Sequence, residues 1–159
     1  MNPPAPVPAQ TCDRHLLRDL VLRYAQAGDR RRFEAFRSLF TADGRVVGYA
    51  GSEATGAPRF SLEGADAIVA GMRGLTRYGA TFHLVGNQLV EIAGDEASGE
   101  TYCVAHHFGD EADGTVNDLV MYIRYRDRYA REGGVWRFRE RVLLIDRQGT
   151  AALRVPQAR

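Results

Sequence analysis

The sequence predicts an α+β fold, in which helices come first in the chain and antiparallel strands follow. Apolar residues recur at three- and four-residue spacing from Leu16 to Ala27, which is the period of an amphipathic helix. From Phe82 onward the residues alternate as in a strand with one buried face, and glycine-containing turns separate the alternating segments. Helices followed by hairpin-linked strands are typical of a curved antiparallel sheet with helices packed on one face.

Three helices are predicted in the first half of the chain. The first begins near Asp13 and ends at Gly28, because glycine readily adopts the backbone conformation that ends a helix. Asp29 can cap a second helix over Arg30–Phe40. A third helix is expected over Ala65–Tyr78, where apolar residues again recur at helical spacing.

Five strands complete the predicted domain. They cover Val46–Tyr49, Phe82–Ala93, Ser98–Phe108, Leu119–Tyr129 and Val135–Ile145. The segment Ala50–Gly64 is expected to be a mobile loop, and Gly149–Arg159 a loose C-terminal extension. In the fourth strand Arg124, Arg126 and Arg128 alternate with apolar residues, so one face of this strand carries arginines that lie in solvent or between subunits.

Composition excludes several kinds of chemistry. The 159 residues are 45% hydrophobic and carry a net charge of +1, which predicts one soluble domain without nucleic acid or a membrane as partner. All basic residues are arginine, and Schiff-base chemistry needs a lysine. Cys12 and Cys103 form no zinc or redox motif and are expected to be free thiols. Residues 1–12, with four prolines, read as a disordered tail rather than a secretion signal, so a cytoplasmic location is expected.

His83 and Asp29 are candidates for acid–base chemistry. His83 lies at the start of a strand, and an imidazole can take up and return a proton near neutral pH. The Asp29 carboxylate either caps the following helix or points between helices and sheet, where it would orient an imidazole. A structural hydrogen-bonding role for His83 and a capping role for Asp29 are the alternatives.

Three further polar residues are singled out. Tyr24 lies on the apolar stripe of the first helix, and its buried hydroxyl would need a partner such as a substrate oxygen. His106 and His107 are neighbours in a strand, so only one of them can line a given pocket. Small residues on its face favour His107, although either histidine could lie at a subunit interface. Arg141 could bind a carboxylate of a ligand, but pairing across the sheet is the favoured interpretation.

Several motifs resemble the SnoaL-like group of the nuclear-transport-factor-2-like superfamily, over residues Asp13 to Gln148. They are Asp13-Arg14-His15-Leu16-Leu17, Arg23-Tyr24-Ala25 with Asp29, Leu39-Phe40-Thr41-Ala42-Asp43-Gly44, Gly64-Ala65-Asp66-Ala67-Ile68, His83-Leu84-Val85-Gly86-Asn87, Arg124-Tyr125-Arg126-Asp127-Arg128 and Gly134-Val135-Trp136-Arg137-Phe138 followed by Arg141. This resemblance implies a cone-shaped barrel, in which a strongly curved antiparallel (mixed) sheet wraps around three N-terminal helices.

The resemblance also implies an activity. Scytalone dehydratase, bile acid 7α-dehydratase and hexachlorocyclohexane dehydrochlorinase use an Asp–His dyad, and the matching residues here are Asp29 and His83. Tyr24 matches a tyrosine that holds a substrate oxygen, and His107 matches a second pocket histidine. We therefore expect a dehydratase-type lyase without cofactor or metal, acting on a small hydrophobic, cyclic carbonyl compound. An isomerase or polyketide-type cyclase using the same dyad, and a non-catalytic binding or assembly domain, are the alternatives.

A closed, mostly apolar pocket is expected around the dyad, with the aspartate and histidine within hydrogen-bond reach. The predicted substrate-binding residues are Asn87, Phe36, Phe40, Leu75, Val85, Tyr125 and Arg141. Gly28 stands where scytalone dehydratase has a tyrosine, and this difference argues against scytalone as the substrate. Members of the superfamily bury an exposed sheet face by association, so a homo-oligomer, dimer or trimer, is expected.

Overall fold

A computed structural model describes residues 8–110 and 115–154. The helices are α1 (Pro8–Asp29), α2 (Phe36–Leu39) and α3 (Gly64–Arg73), with 3₁₀ turns at Phe33–Ala35 and Gly74–Arg77. The strands are β1 (Phe40–Ala50), β2 (Phe60–Glu63), β3 (Ala80–Ala93), β4 (Glu96–Asp110), β5 (Thr115–Glu132) and β6 (Val135–Arg154). None of the helices in these ranges is long and apolar enough to span a membrane.

The six strands form one mixed sheet in the order β2-β1-β6-β5-β4-β3. Strands β1 and β6 pair in parallel, and the other neighbouring strands pair in antiparallel fashion. The sheet curls around the helices, but its edge strands β2 and β3 do not pair with each other, so the predicted barrel is open. The prediction of an α+β fold with a curved mixed sheet and three helices is otherwise confirmed.

The core lies between α1 and the inner face of the sheet. Leu17 and Val21 of α1 are fully buried, as their helical spacing predicts. In β5, Tyr125 points inward and is 2% exposed, whereas its neighbours Arg124 and Arg126 point to the outer face and pair with carboxylates there. The inner face of the sheet therefore forms both the core and the walls of a cavity below α1 and α3.

Several predicted boundaries differ from those in the structure. Helix α1 already begins at Pro8. Proline is well suited to a first helical turn, because backbone N–H groups there have no partner within the helix and proline has none. Residues 1–7 of the predicted tail lie outside the described residues. The segment Arg30–Phe40 contains only a 3₁₀ turn and the four-residue α2. Strand β6 continues to Arg154 because Thr115–Val120 of β5 offer it backbone partners. Residues 149–154 are thus not a loose extension, and residues 155–159 are not described.

The loop predicted between the first two strands contains β2, and two glycines allow this strand to pack closely. A Cβ atom at Gly48 would overlap the ring of Phe60, and one at Gly71 would overlap the side chain of Leu62. Because both positions lack a side chain, β2 can lie against β1 on one side and α3 on the other. This packing places Phe60 and Leu62 in the wall of the cavity.

Candidate active site

Asp29, the last residue of α1, directs its carboxylate to β3 rather than to the following helix. Its Oδ1 atom lies 2.7 Å from Nδ1 of His83 and accepts a hydrogen bond of 3.0 Å from the Thr81 hydroxyl. Its Oδ2 atom accepts the backbone N–H of His83 at 3.0 Å. Burial alone would raise the pKa of Asp29, but the hydrogen bonds from His83 and Thr81 outweigh it and lower this pKa below its ordinary value. The carboxylate is therefore ionised near neutral pH.

The hydrogen bond to Asp29 determines which nitrogen of His83 carries the proton. An ionised carboxylate can only accept, so Nδ1 of the imidazole donates and Nε2 keeps its lone pair. The side chain of His83 is 10% exposed and lines the cavity. This arrangement is that of an oriented general base: the aspartate holds the ring and stabilises it after it takes up a proton.

Two consecutive hydrogen bonds, from Arg31 to Thr81 and from Thr81 to Asp29, stabilise the Asp29 carboxylate. Arg31 has a left-handed backbone conformation, with φ of 56°, which is uncommon for a residue with a side chain. Its guanidinium donates to the hydroxyl of Thr81 at 3.0 Å and to the backbone carbonyl of Tyr78 at 3.2 Å. Because arginine cannot accept, the Thr81 hydroxyl must turn its own proton toward Asp29. Arg31 thus orients the carboxylate through Thr81.

His107 is the histidine of β4 that faces the cavity, and its ring centre lies 5.8 Å from that of His83. Burial is the main reason why the pKa of His107 falls to about 4, and the nearby His83 lowers it further. The ring is therefore neutral near pH 7. Its Nδ1 lies 3.3 Å from the carbonyl oxygen of Leu119, to which it donates, and Nε2 is left as an acceptor.

His106 lies on the opposite face of β4, as the alternation predicts. Its Nδ1 atom is 2.7 Å from Oδ2 of Asp118 on the neighbouring strand. The structure thus resolves the choice between the two adjacent histidines in favour of His107.

The cavity has a volume of about 370 Å³ and lies between α1, α3 and the sheet. Its apolar lining consists of Phe36, Phe60, Leu62, Met72, Leu75, Met121, Ile123, Leu143 and Ile145, with Gly28, Gly71 and Gly74. The polar lining consists of Tyr24, Arg59, Arg77, His83, His107 and Tyr125. The cavity is mostly apolar, as expected, but it opens to solvent at the exposed Arg59, Phe60 and Arg77 rather than being closed.

Tyr24 and Tyr125 place two phenol groups in the wall of this cavity. Burial raises the pKa of Tyr24 to about 12 and that of Tyr125 well above its ordinary value. Both hydroxyls therefore stay protonated and can donate a hydrogen bond. In the structure the Tyr24 hydroxyl lies 3.9 Å from the sulfur of Met72, a weak acceptor that a substrate oxygen can replace.

Among the predicted substrate-binding residues, Phe36, Leu75 and Tyr125 line the cavity, and four others do not. Asn87 is exposed, because the pairing of β3 with β4 shifts between Val85 and Gln88 and carries Asn87 away from the inner face. Phe40 packs in the core against Phe138, with ring centres 5.2 Å apart. Val85 also packs against the core rather than lining the cavity.

Arg141, the fourth of these residues, lies beneath the cavity. It is fully buried, and its Nε and Nη2 atoms each donate to the Asp127 carboxylate at 2.8 Å. Its guanidinium carbon is 4.2 Å from the ring centre of Tyr24 and 4.1 Å from that of Tyr125. Arg141 therefore packs against the two tyrosines and is not one of the cavity-lining residues, in line with the cross-strand pairing favoured from its position in the strand.

Several residues of the site were not predicted from the sequence. Met121 and Ile123 alternate with the arginines of β5, and this pattern could have placed them on the cavity side together with Tyr125. Thr81 and Arg31 carried no comparable signal, because their roles depend on contacts between distant segments. Within residues 8–110 and 115–154, no three His, Cys, Asp or Glu side chains are grouped as a metal site requires.

The low pKa of His107 predicts a pH dependence of stability. As the pH falls from 6.5 to about 4, the unfolded chain takes up a proton at this residue while the folded protein does not. The free energy of unfolding should therefore decrease over this interval, by up to about 3 kcal/mol from this residue. The stabilisation linked to Asp29 is lost only as the pH falls below the ordinary carboxyl value of 3.8.

Urea unfolding of the wild type and of His107→Gln, at pH 7 and at pH 4.5, measures this contribution. The decrease in stability should be smaller in the variant. An equal decrease in both proteins would show that His107 does not contribute to the pH dependence of stability.

The chain is similar in sequence and in fold to known proteins. A family model described as a SnoaL-like domain matches residues 9–142. The chain is 23% identical to a candidate scytalone dehydratase from Novosphingobium aromaticivorans, with a TM-score of 0.72 over 94% of this chain and 93% of that chain. No sequence among the curated proteins matches.

Two further solved structures have the same architecture. An NTF2-like protein with a cystatin-like fold from N. aromaticivorans is 24% identical, with a TM-score of 0.65, and the match covers 86% of this chain and 84% of that one. Hexachlorocyclohexane dehydrochlorinase LinA type 2 is 18% identical, with a TM-score of 0.72, and the match covers 93% of this chain and 95% of that one. At these identities the similarity establishes the fold.

Proposed function

The chain belongs to the SnoaL-like family, and from this premise we propose that it is a cofactor-independent lyase of the dehydratase type. The proposed substrate is a small hydrophobic, cyclic carbonyl compound that carries a hydroxyl group on the β-carbon. The observation that carries the proposal is the imidazole of His83, which is oriented by an ionised Asp29 inside a mostly apolar cavity.

The proposed reaction begins with removal of a proton next to the carbonyl group. Nε2 of His83 takes this proton, and the electron pair of the C–H bond moves into an enolate. The neutral phenol of Tyr24 donates a hydrogen bond to the carbonyl oxygen, where the negative charge develops. Asp29 stabilises the positive charge on the imidazolium that forms.

The second step expels water. The enolate electrons form the carbon–carbon double bond, the bond to the β-hydroxyl breaks, and the His83 imidazolium returns its proton to the departing oxygen. His107 is neutral with Nε2 as an acceptor, so it can hold the departing hydroxyl group in place but has no proton on that atom to give. His83 therefore serves as base and then as acid, and His107 assists by orientation.

An isomerase or a cyclase with the same dyad would share the first step and differ in the fate of the enolate. A non-catalytic binding domain needs no oriented base. The hydrogen bond between Asp29 and His83, in place of a cap on the following helix, supports catalysis.

The test is incubation of the protein in D₂O with a set of cyclic β-hydroxy ketones. Mass spectrometry should show loss of one water from at least one of them; deuterium uptake without loss of water would favour an isomerase or a cyclase.

Arg31 is proposed to position the dyad through Thr81, since its guanidinium touches neither histidine. Arg31→Gln should lower kcat about tenfold and leave KM nearly unchanged, because the variant loosens Asp29 but keeps the cavity. The neighbouring exposed arginine provides the control, and Arg32→Gln should keep the wild-type kcat. Steady-state kinetics of dehydration separates the two parameters. A rise in KM alone would contradict the positioning role.

We also propose that the protein is a homo-oligomer, a dimer or trimer, which associates through the outer face of the sheet. Four large side chains form an apolar patch there: Phe82, Leu84, Tyr102 and Tyr122, each between 46% and 59% exposed. They lie on the adjacent strands β3, β4 and β5, next to the ion pair of Arg124 and Asp146. Burial of such a patch stabilises association.

Light scattering at micromolar concentration measures the oligomeric state. The wild type should be a dimer or trimer, and Tyr122→Glu should shift the protein to a monomer because it places a charge within the apolar patch. Leu16→Glu, at an exposed leucine on α1, is the matched control and should not change the mass. A wild-type monomer would refute the proposal.

A further inference from the structure

Two arginines lie at the mouth of the cavity that contains His83 and His107. Arg59 precedes β2, and Arg77 ends the 3₁₀ turn after α3. Both side chains line the cavity, and no aspartate or glutamate is among its lining residues. With His107 neutral, the lining carries two fixed positive charges and no fixed negative charge.

Neither arginine has a carboxylate partner among the residues that the structure describes. The Nη1 atom of Arg59 donates to the side-chain oxygen of Gln148 at 3.4 Å, and Nη2 of Arg77 donates to the Tyr78 hydroxyl at 3.2 Å. Other surface arginines, such as Arg37, pair with carboxylates. Most donor N–H groups of the two mouth arginines therefore have no partner in the described part of the chain and can bind an anion.

The two arginines lie on different sides of the mouth. Arg59 contacts β6 through Gln148. Arg77 lies over the ring of Tyr78, which in turn packs against His107 of β4 with ring centres 4.9 Å apart. Strand β5 separates β6 from β4 in the sheet, so the two arginines have their contacts on opposite sides of β5. The positive charge of Arg77 also contributes to the low pKa of His107, which agrees with its place beside the cavity.

We propose that Arg59 and Arg77 form a binding site for an oxyanion group of the substrate, a carboxylate or a phosphate, while the apolar ring enters the cavity. The planar guanidinium groups match either oxyanion through paired hydrogen bonds. The apolar walls inside the cavity would exclude such a charged group, so it stays at the mouth. This inference rests on the proposed function, which supplies the reacting carbonyl group. It restricts the proposed substrates to compounds that carry an anionic group.

Three probes of the same ring size test this site by isothermal titration calorimetry: 2-naphthoate, 2-naphthyl phosphate and the neutral 2-naphthamide. At least one of the two anions should bind about tenfold more tightly than the amide, as expected for charge-assisted hydrogen bonds. The more tightly bound anion identifies the group. High salt should reduce the preference, because the arginines are exposed.

The double variant Arg59→Gln/Arg77→Gln should bind all three probes equally, with the affinity that the wild type has for the amide. The control Arg23→Gln/Arg139→Gln removes the same charge from exposed arginines outside the cavity and should keep the preference. Equal binding of anions and amide by the wild type would overturn the proposal. So would a preference that survives in the Arg59→Gln/Arg77→Gln variant.

This test does not depend on turnover. The variant His83→Ala should still prefer an anionic probe, because both arginines remain. If the preference is absent while dehydration depends on His83, the anion site is wrong and the proposed lyase stands. If the preference is present but cyclic β-hydroxy ketones that carry the preferred anionic group are not dehydrated, the anion site stands and the proposed function fails.

Discussion

Replacement of His83 by alanine is expected to lower the rate of dehydration by a factor of about 10² to 10⁴, the usual contribution of a positioned acid–base group. The imidazole is the group within the cavity that is both oriented by an ionised carboxylate and left with a free nitrogen. Its removal takes away the base of the first step and the acid of the second. The measurement is kcat/KM with the substrate identified in the dehydration test, together with a thermal unfolding curve.

A second histidine provides a matched control. His106 is also bonded to an aspartate at 2.7 Å, but it lies on the outer face of β4. His106→Ala should therefore retain the wild-type rate. Asp29→Asn should lower the rate as well, because an amide no longer provides the negative charge that stabilises the His83 imidazolium. Undiminished turnover by His83→Ala would remove this residue from the mechanism.

Replacement of Asp127, the buried partner of Arg141, should lower the stability of the protein more than any other substitution proposed for it. Asp127 and Arg141 are both completely buried and form two parallel hydrogen bonds. The Tyr129 hydroxyl also donates to Asp127 at 2.9 Å. Asp127→Ala leaves the guanidinium charge without a partner, and such a change typically lowers the free energy of unfolding by about 3–5 kcal/mol. Urea denaturation followed by circular dichroism measures this change.

Two further variants test whether the unpaired charge of Arg141 causes this loss of stability. Asp19 pairs with Arg23 on the surface of α1, and Asp19→Ala should change stability by less than about 1 kcal/mol. The double variant Asp127→Leu/Arg141→Met removes both charges and should recover much of the stability lost in Asp127→Ala. If the double variant is no more stable than the single one, the unpaired charge is not the cause.

Much of the inner face of the sheet could be predicted from the sequence. Alternation in β4 and β5 places Tyr125 and His107 on one side and Arg124 and His106 on the other, and the structure has this arrangement. Alternation failed at Asn87, because the bulge between Val85 and Gln88 changes which residues face inward. Periodicity does not reveal a bulge, since the extra residue depends on how the neighbouring strand pairs.

The pairing of Asp29 with His83 could be predicted only through the family resemblance. From the residues alone, capping of the following helix was the commoner role for an aspartate at this position. In the structure α1 ends against the start of β3, and the Asp29 carboxylate accepts hydrogen bonds from three donors there. A helix cap offers fewer hydrogen bonds than this site, so the tertiary packing determines the orientation of the carboxylate.

The sequence by itself thus determined the fold class, the helical and strand periods, and the face on which strand residues lie away from the bulge in β3. These properties depend on neighbours within a few positions, where backbone geometry is regular. Only the tertiary structure decided that Arg31 supports Asp29 through Thr81, that Arg141 lies beneath two tyrosines, and that Arg59 and Arg77 line the same cavity. Each of these contacts joins segments far apart in the chain, and their approach depends on how helices and sheet pack as a whole.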